Sequence, residues 1–335
     1  MVKLALLSAW HVHTGGFVTE ALKHGAELSV VWDDDVTRGK AFADSFATSF
    51  NPNLEDVLAD PTIDAVMVEC ATVKHKEVII KAAKAKKHIF TDKALALSVE
   101  DCVEIQEAME ENGVHFIISL ESLEIGPYRY AKHLIDDGKL GEITSVYFRR
   151  AHQAALDKNM LPSYWFDKSQ TGGGVTLDLG CHGLYLLPHF LGKPQKVSCL
   201  MNELKGTGSD EISTTVVEFE SGAIGTAHTS FVSGKMDNLL EIVGTEGSLI
   251  VNGTKPENFR AFLQSFHVEG FEQLSPVPKE AFLLEEKKPI VEFIQAIQRS
   301  DFTPSRYYNI EAATGLTRMI ECAYESSKSG KVVHY

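Results

Sequence analysis

The sequence predicts an α/β fold in two units: a doubly wound parallel sheet first, then an α+β unit with a large, mostly antiparallel open sheet. Three observations carry this. The first ~120 residues alternate strand-like apolar runs with amphipathic segments, the signature of parallel strands joined by crossover helices. Beyond Leu120 the texture changes to short β-rich segments separated by hairpin-type glycines. The full length of 335 residues also exceeds the ~100–200 residues that one domain usually holds. The expected division is 1–120 and 121–335.

Each element has a local reason. Leu4–Leu7 is a short apolar run that reads as a buried first strand, and the helix around Phe17–His24 closes at Gly25, a residue suited to a helix C-terminus. Leu28–Trp32 is the second strand and ends at Asp33-Asp34-Asp35. Phe42 and Phe46, four apart, mark the next helix. Ala65–Val68 and His88–Thr91 are strands, with the Val78, Ile79, Ala82 and Ala83 stripe giving the helix between them. Ser98-Val99-Glu100-Asp101 has the form of a capping box opening a helix that Gly113 ends, and Val114–Ser119 completes the series. In the second half, Pro127 opens a helix through Ile135. Strands are expected at Ile143–Phe148, Ser198–Glu203, Ser213–Glu220, Ala223–Phe231, Leu239–Gly244 and Ser248–Val251. Two helices, near Pro289–Gln298 and Glu311–Ser327, close the chain.

Hydrophobic residues make up 44% and charged residues 23%, an ordinary globular balance, while a net charge of −14 argues against nucleic acid or an anionic membrane as partner. The five cysteines are scattered without metal-type spacing, which fits a reducing compartment. No apolar run approaches the ~18 residues of a membrane span. A cytoplasmic protein is expected.

The chemistry concentrates at Asp178 and His182, in Gly172-Gly173-Gly174-Val175-Thr176-Leu177-Asp178-Leu179-Gly180-Cys181-His182. On a helix these two side chains meet, and a carboxylate beside an imidazole orients a general base. The same spacing also fits a solvated helix face. A dinucleotide fingerprint needs G-x-G-x-x-G after the first strand. Here Ser8-Ala9-Trp10-His11-Val12-His13 stands instead, with Gly15-Gly16 shortly after. Asp33 ends the second strand, where a ribose-binding carboxylate belongs, although Asp33–Asp35 also reads as a turn and helix cap. As a metal pair His11 and His13 would need further ligands, with His75 or His182 as partners. The preferred reading makes them a fingerprint replacement that bonds the pyrophosphate, with no metal. Tyr164-Trp165-Phe166 packs on a sugar ring or anchors its loop, and of Arg149 and Arg150, on opposite strand faces, at most one points to a substrate.

Taken together the chain resembles the Gfo/Idh/MocA family of nicotinamide-dependent oxidoreductases. Leu58–Val66 is similar to the family's stretch before strand four. Ala71-Thr72-Val73-Lys74-His75 matches its P-N-x-x-H segment with Ala for Pro and Thr for Asn. Thr91-Asp92-Lys93-Ala94-Leu95-Ala96 matches its E-K-P segment with Asp for Glu and Ala for Pro. Asp136–Ile143 is similar to its early C-terminal turn, and the G-G-G-x-x-x-D-x-G-x-H run is matched in full. The glycine fingerprint is missing, and Tyr185 stands where the family often has Asp.

The resemblance implies a Rossmann domain and an NAD(H)-dependent enzyme, with NADP disfavoured by Asp33 and Asp34. It would interconvert alcohol and carbonyl on a sugar, polyol or sugar acid. Lys93, Asp178 and His182 are then the catalytic trio. Ser8, Trp10, His11, His13, Asp33, Thr72, His75, Asp92 and Lys93 would contact cofactor, and Arg149, Tyr164, Trp165 and Tyr185 substrate. The site is expected in the cleft between the domains, and a homodimer or homotetramer through the open face of the C-terminal sheet. A catalytically silent binding protein and an NAD-dependent glycosidase are the alternatives.

Overall fold

A computed structural model describes residues 1–282 and 288–335. Its contacts divide into two compact units: Met1–Leu120 with Ser169–Thr171 and Lys287–Thr317, and Glu121–Lys168 with Gly172–Glu286 and Arg318–Tyr335. The units are thus interleaved along the chain. A division into two consecutive segments misses the return of residues 287–317 to the first.

The first unit is a parallel sheet of β1 (Val2–Leu7), β2 (Ala26–Trp32), β3 (Ser49–Phe50), β4 (Ala65–Val68), β5 (His88–Asp92) and β6 (Phe116–Ser119), ordered β3-β2-β1-β4-β5-β6. The order reverses between β1 and β4, the place where such sheets take ligands at their carboxyl ends. Helices α1 (Thr14–Lys23), α2 (Val36–Ser45), α3 (Leu54–Ala59), α4 (His75–Lys84) and α5 (Val99–Asn112) form the connections. Their limits are set locally. Asp35 caps α2 by accepting from Thr37 and Arg38 N–H, Asn53 caps α3, and Ser98 caps α5 by accepting from Asp101 N–H. Gly113 ends α5 in the left-handed region. Because both faces of the sheet are covered, β4 and β6 are buried throughout, as parallel strands require.

The second unit opens with α6 (Gly126–Asp136) and β7 (Ile143–Ala151). A four-residue turn, α7 (Lys168–Thr171), and a π-helical turn at Thr176–Gly180 lead into α8 (Cys181–Leu191). The strands β8 (Pro194–Asn202), β9 (Ile212–Phe219), β10 (Ile224–Ser230), β11 (Asp237–Gly244), β12 (Gly247–Asn252), β13 (Arg260–Ser265), β14 (Ser275–Pro276) and β15 (Val333–His334) join β7 in the order β14-β13-β12-β11-β7-β10-β9-β8-β15. Among the described residues of this sheet, only β7 and β10 pair in parallel. Two helices, α9 (Pro289–Arg299) and α10 (Ile310–Ser329), lie near the end of the chain.

Helix α8 lies on β7 and β10, and Gly183 makes this close approach possible, because a Cβ there would overlap Ala227 and Phe148. The opposite face of the sheet is mixed, not uniformly apolar. Leu200, Val216 and Ile224 are exposed beside the Lys196–Glu218 ion pair and the Thr214–His228 hydrogen bond.

Candidate active site

In the first unit the strand ends carry a dense polar cluster. Asp92, at the end of β5, is buried, with Oδ1 accepting Lys93 N–H at 2.7 Å. Oδ2 lies 3.0 Å from His11 Nδ1 and 2.9 Å from His13 Nδ1. The two imidazoles hold the Asp92 carboxyl well below its ordinary range against the opposing effect of burial. Burial lowers the His11 pKa, with Asp92 opposing and His13 and Lys93 adding to the lowering. The Nδ1 atoms of both histidines are turned to Asp92. Beside Asp92, Glu69 is buried with neither carboxyl oxygen hydrogen-bonded among the described residues. Burial, reinforced by Asp92, raises its pKa well above the carboxylate range.

The rest of the β1–α1 loop departs from expectation in a physically clear way. Ser8 is fully buried at φ 78°, a conformation glycine would normally supply. Trp10 does not project toward a dinucleotide: its indole is buried and Nε1 donates to Gln170 Oε1 at 3.0 Å. His75 is also an internal tie. Its Nδ1 and Nε2 lie 3.1 and 3.0 Å from the carbonyls of Leu95 and Cys70, so both ring nitrogens face backbone. Thr72 is buried at the start of the short 3-10 turn Thr72–Lys74. Lys93 is 5% exposed.

At the end of β2, Asp33 is held within the fold. Its oxygens accept from Ala9 N–H at 2.7 Å, Asp35 N–H at 2.9 Å and Arg38 Nε at 3.0 Å, with a second contact from Arg38 Nη2. Arg38 also reaches Asp34, which pairs with Lys74. Sequence reasoning missed Arg38 and Lys74. The available signal was Arg38 three residues past the Asp35 cap, which turns its side chain back over the strand end. Next to this network lies a pocket of about 420 Å³, with the apolar walls Trp32, Pro52, Leu54 and Val78 and the polar groups Asp34 and Lys74. The pocket thus sets apolar walls beside carboxylates and cations at a strand end, where such sheets take ligands.

In the second unit the glycine run is pinned by Asp210. Its Oδ1 accepts from Gly174 N–H at 3.0 Å and Tyr324 Oη at 2.9 Å, and its Oδ2 from Thr176 N–H at 2.8 Å. Gly174 is required there, since a Cβ would overlap the Asp210 carbonyl oxygen. The π turn that follows carries half-buried Asp178, and the next turn carries buried His182. His182 Nδ1 is 2.7 Å from Tyr185 Oη and 3.0 Å from Ser122 Oγ, contacts the sequence reading had given to Asp178. Both hydroxyls can accept from Nδ1–H, the tautomer that leaves Nε2 with a lone pair. Nε2 is 3.9 Å from Glu121 Oε1.

Tyr185, expected at the substrate, is buried behind His182; its Oη also accepts from Ser122 N–H at 2.9 Å. Burial raises its phenol pKa well above the usual value, keeping it a hydroxyl. Replacing Tyr185 by Phe keeps the ring and removes these bonds. The expected effect is a roughly 3–10-fold lower kcat with unchanged NADH affinity, the loss of about one hydrogen bond. Steady-state kinetics of the variant check this, and an unchanged kcat would remove Tyr185 from the site.

Arg149 and Arg150 separate as alternation demands. Arg149 pairs with Asp237 at 2.6 Å on the sheet face opposite α8. Arg150 lies on the His182 side, donating to Ser122 Oγ at 3.2 Å and pairing with Glu121 at 3.4 Å. Arg150, Glu121 and Ser122 are the residues sequence reasoning missed here, and Arg149 is the one it misplaced. Trp165 is buried and anchors its loop, while Tyr164 is half-buried.

Comparison with known proteins agrees with this geometry. Residues 13–120 match the oxidoreductase family with NAD-binding Rossmann fold, and residues 128–250 match the GFO/IDH/MocA C-terminal domain. The 2,7-anhydro-N-acetylneuraminate hydratase of Escherichia coli (strain K12) is 30% identical over 233 residues, covering 68% of this chain and 61% of that protein. The scyllo-inositol 2-dehydrogenase (NAD(+)) of Bacillus subtilis (strain 168) is 29% identical, covering 72% of this chain and 70% of its own. A levoglucosan dehydrogenase solved with NADH and L-sorbose superposes with a TM-score of 0.84 at 18% identity, over 100% of this chain and 98% of that one. No helix among the described residues is long and apolar enough to cross a membrane. With a Rossmann unit, a mostly antiparallel second unit and both family domains matched along its length, the chain belongs to the Gfo/Idh/MocA family of oxidoreductases.

Proposed function

We propose that the protein is an NAD(H)-dependent dehydrogenase or reductase that interconverts a secondary alcohol and a carbonyl on a sugar or polyol. The observation that carries this is His182, held from behind by Tyr185 and Ser122 with Nε2 presented as its working atom. A bound nicotinamide supplies the hydride acceptor. His182 takes the hydroxyl proton as the carbinol carbon is oxidised, and the Lys93 ammonium stabilises the developing alkoxide. Asp178, one turn earlier, adds negative charge that favours the imidazolium. In the reverse direction the same groups polarise and protonate the carbonyl. The Arg150–Glu121 pair beside His182 is neutral as a unit and offers donors and acceptors to hydroxyls, which favours an uncharged sugar or polyol over a sugar acid. A panel of sugars and polyols assayed for NADH formation tests the reading; absence of turnover on every member, with NADH bound, would support the silent alternative.

Cofactor choice rests on the β2 end. Asp33, Asp34, Arg38 and Lys74 balance in charge, so a ribose hydroxyl is accommodated and a 2′-phosphate brings uncompensated charge against Asp34. NADH is expected to bind more tightly than NADPH. Replacing Asp34 by Ala leaves Lys74 unopposed and Arg38 paired with Asp33 alone, and should move the NADPH/NADH affinity ratio toward NADPH by about 10-fold at low salt. Fluorescence titration of both nucleotides reads the ratio, and a parent chain that prefers NADPH would overturn the assignment.

A second reading has support from the hydratase relative, which is 30% identical to this chain: the chain carries out a transient oxidation with no net redox change. Product formation on an anhydro- or glycosidic sugar without net NADH accumulation would select it. The five cysteines are buried and none is in a disulfide among the described residues, in keeping with a cytoplasmic enzyme. A second copy is proposed on the sheet face bearing Leu200, Val216 and Ile224, where apolar area and paired charges alternate. Light scattering that finds only monomer would remove that element.

A further inference from the structure

Two histidines from one loop and a carboxylate from a distant strand converge at the carboxyl end of the first sheet. His11 Nδ1, His13 Nδ1 and an Asp92 oxygen all lie within 4.8 Å of one another. We propose that His11, His13 and Asp92 form a binding site for one divalent transition-metal ion of the zinc class. Three protein ligands would hold the ion, leaving further coordination positions for water or an anionic oxygen.

The donor set points to this class. Two imidazoles and one carboxylate, with no thiolate, suit borderline divalent ions such as Zn²⁺ and Co²⁺, while Ca²⁺ and Mg²⁺ prefer oxygen alone. The spacing also fits. Zinc–ligand bonds of 2.0–2.1 Å in a tetrahedron place donor atoms about 3.3 Å apart. Asp92 Oδ2 is 3.0 and 2.9 Å from the two Nδ1 atoms, and closing the two imidazoles toward each other completes the set. Asp92 Oδ1 is occupied by Lys93 N–H, which fixes the carboxylate and reserves Oδ2 for the cluster, as outer-shell bonds do in metal sites.

Glu69, 1% exposed, adds a second buried carboxyl group beside Asp92. The sequence hid the site because its third ligand comes from β5. The partners expected for a histidine pair do not supply it: His75 is engaged by backbone, and His182 belongs to the second unit.

The test uses the full chain after treatment with a chelator, without nucleotide or substrate, so that its outcome is independent of the oxidoreductase reading. Calorimetric titration with Zn²⁺ is expected to show one equivalent per chain with a Kd below about 10 µM. Co²⁺ should give visible absorption of a four- or five-coordinate site. His13 is half-exposed, so His13→Ala is expected to fold, and should weaken Zn²⁺ binding by about 100-fold. Asp92→Asn should do the same, and His13→Cys, which restores a ligand, should recover binding. If the parent takes up no Zn²⁺, or if His11→Asn/His13→Ala binds it as the parent does, the cluster is a hydrogen-bonded one and the proposal fails.

Discussion

His182→Asn is expected to lower kcat by about 10²–10⁴-fold while leaving NADH affinity within about twofold of the parent. Asparagine retains a polar side chain near Tyr185 and Ser122 and cannot take the hydroxyl proton. Lys93→Met should show a loss of the same order for a different reason, because the cation that stabilises the alkoxide is gone from a buried position. Single-turnover rates with saturating NAD and substrate separate these losses from binding. In the proposed reaction the two groups serve one transition state, so the double variant should lose much less than the product of the single losses. A His182→Asn enzyme with near-normal turnover would reject the assignment of the base.

Gly174→Ala is expected to produce the largest loss of stability, about 3 kcal/mol, near the upper end for overpacking. The new Cβ meets the Asp210 backbone carbonyl, which cannot swing aside as a side chain would. Asp210 at the same time holds Gly174 and Thr176 N–H groups, so displacement propagates to the π turn and to His182. A fall in Tm of roughly 6–12 °C by calorimetry, with a lower kcat in the surviving folded protein, is the expected pair of readings. Asp210→Asn should reduce activity with a smaller stability loss, since it keeps the shape and one acceptor. Gly174→Ala with parental Tm would show that the close approach is not obligatory.

What was legible in the sequence is what local chemistry decides. Ser98 and Gly113 fix both ends of α5 whatever lies around them, and β4 was readable because only a fully buried strand tolerates Ala65-Val66-Met67-Val68. The G-G-G-x-x-x-D-x-G-x-H run located the turn holding His182. Its partner Tyr185, three residues on, was also within reach of helical spacing and had been assigned to substrate instead. The contacts that stayed hidden cross the fold. Asp33 looked like a ribose ligand until Arg38 closed over it, which depends on α2 starting at Val36. Arg150 and Arg149 were indistinguishable until the register of β7 against β10 and β11 set which faced α8. His13 and Asp92 lie on different elements, joined only by the order of parallel strands.

The return of residues 287–317 to the first unit has a consequence for how the chain is made. Helix α9 buries Phe293 against Phe90 and His115, and the carbonyl of Tyr308 accepts from Ile118 N–H on the edge strand β6. The strands that leave the ribosome first therefore wait for a cover that is synthesised almost last. Until then a growing chain carries an open apolar patch and an unpaired strand edge, both of which invite association with other nascent chains. Premature termination between β6 and α9 would leave that exposure permanent, so such truncated products should be aggregation-prone even though every strand of the first sheet is present.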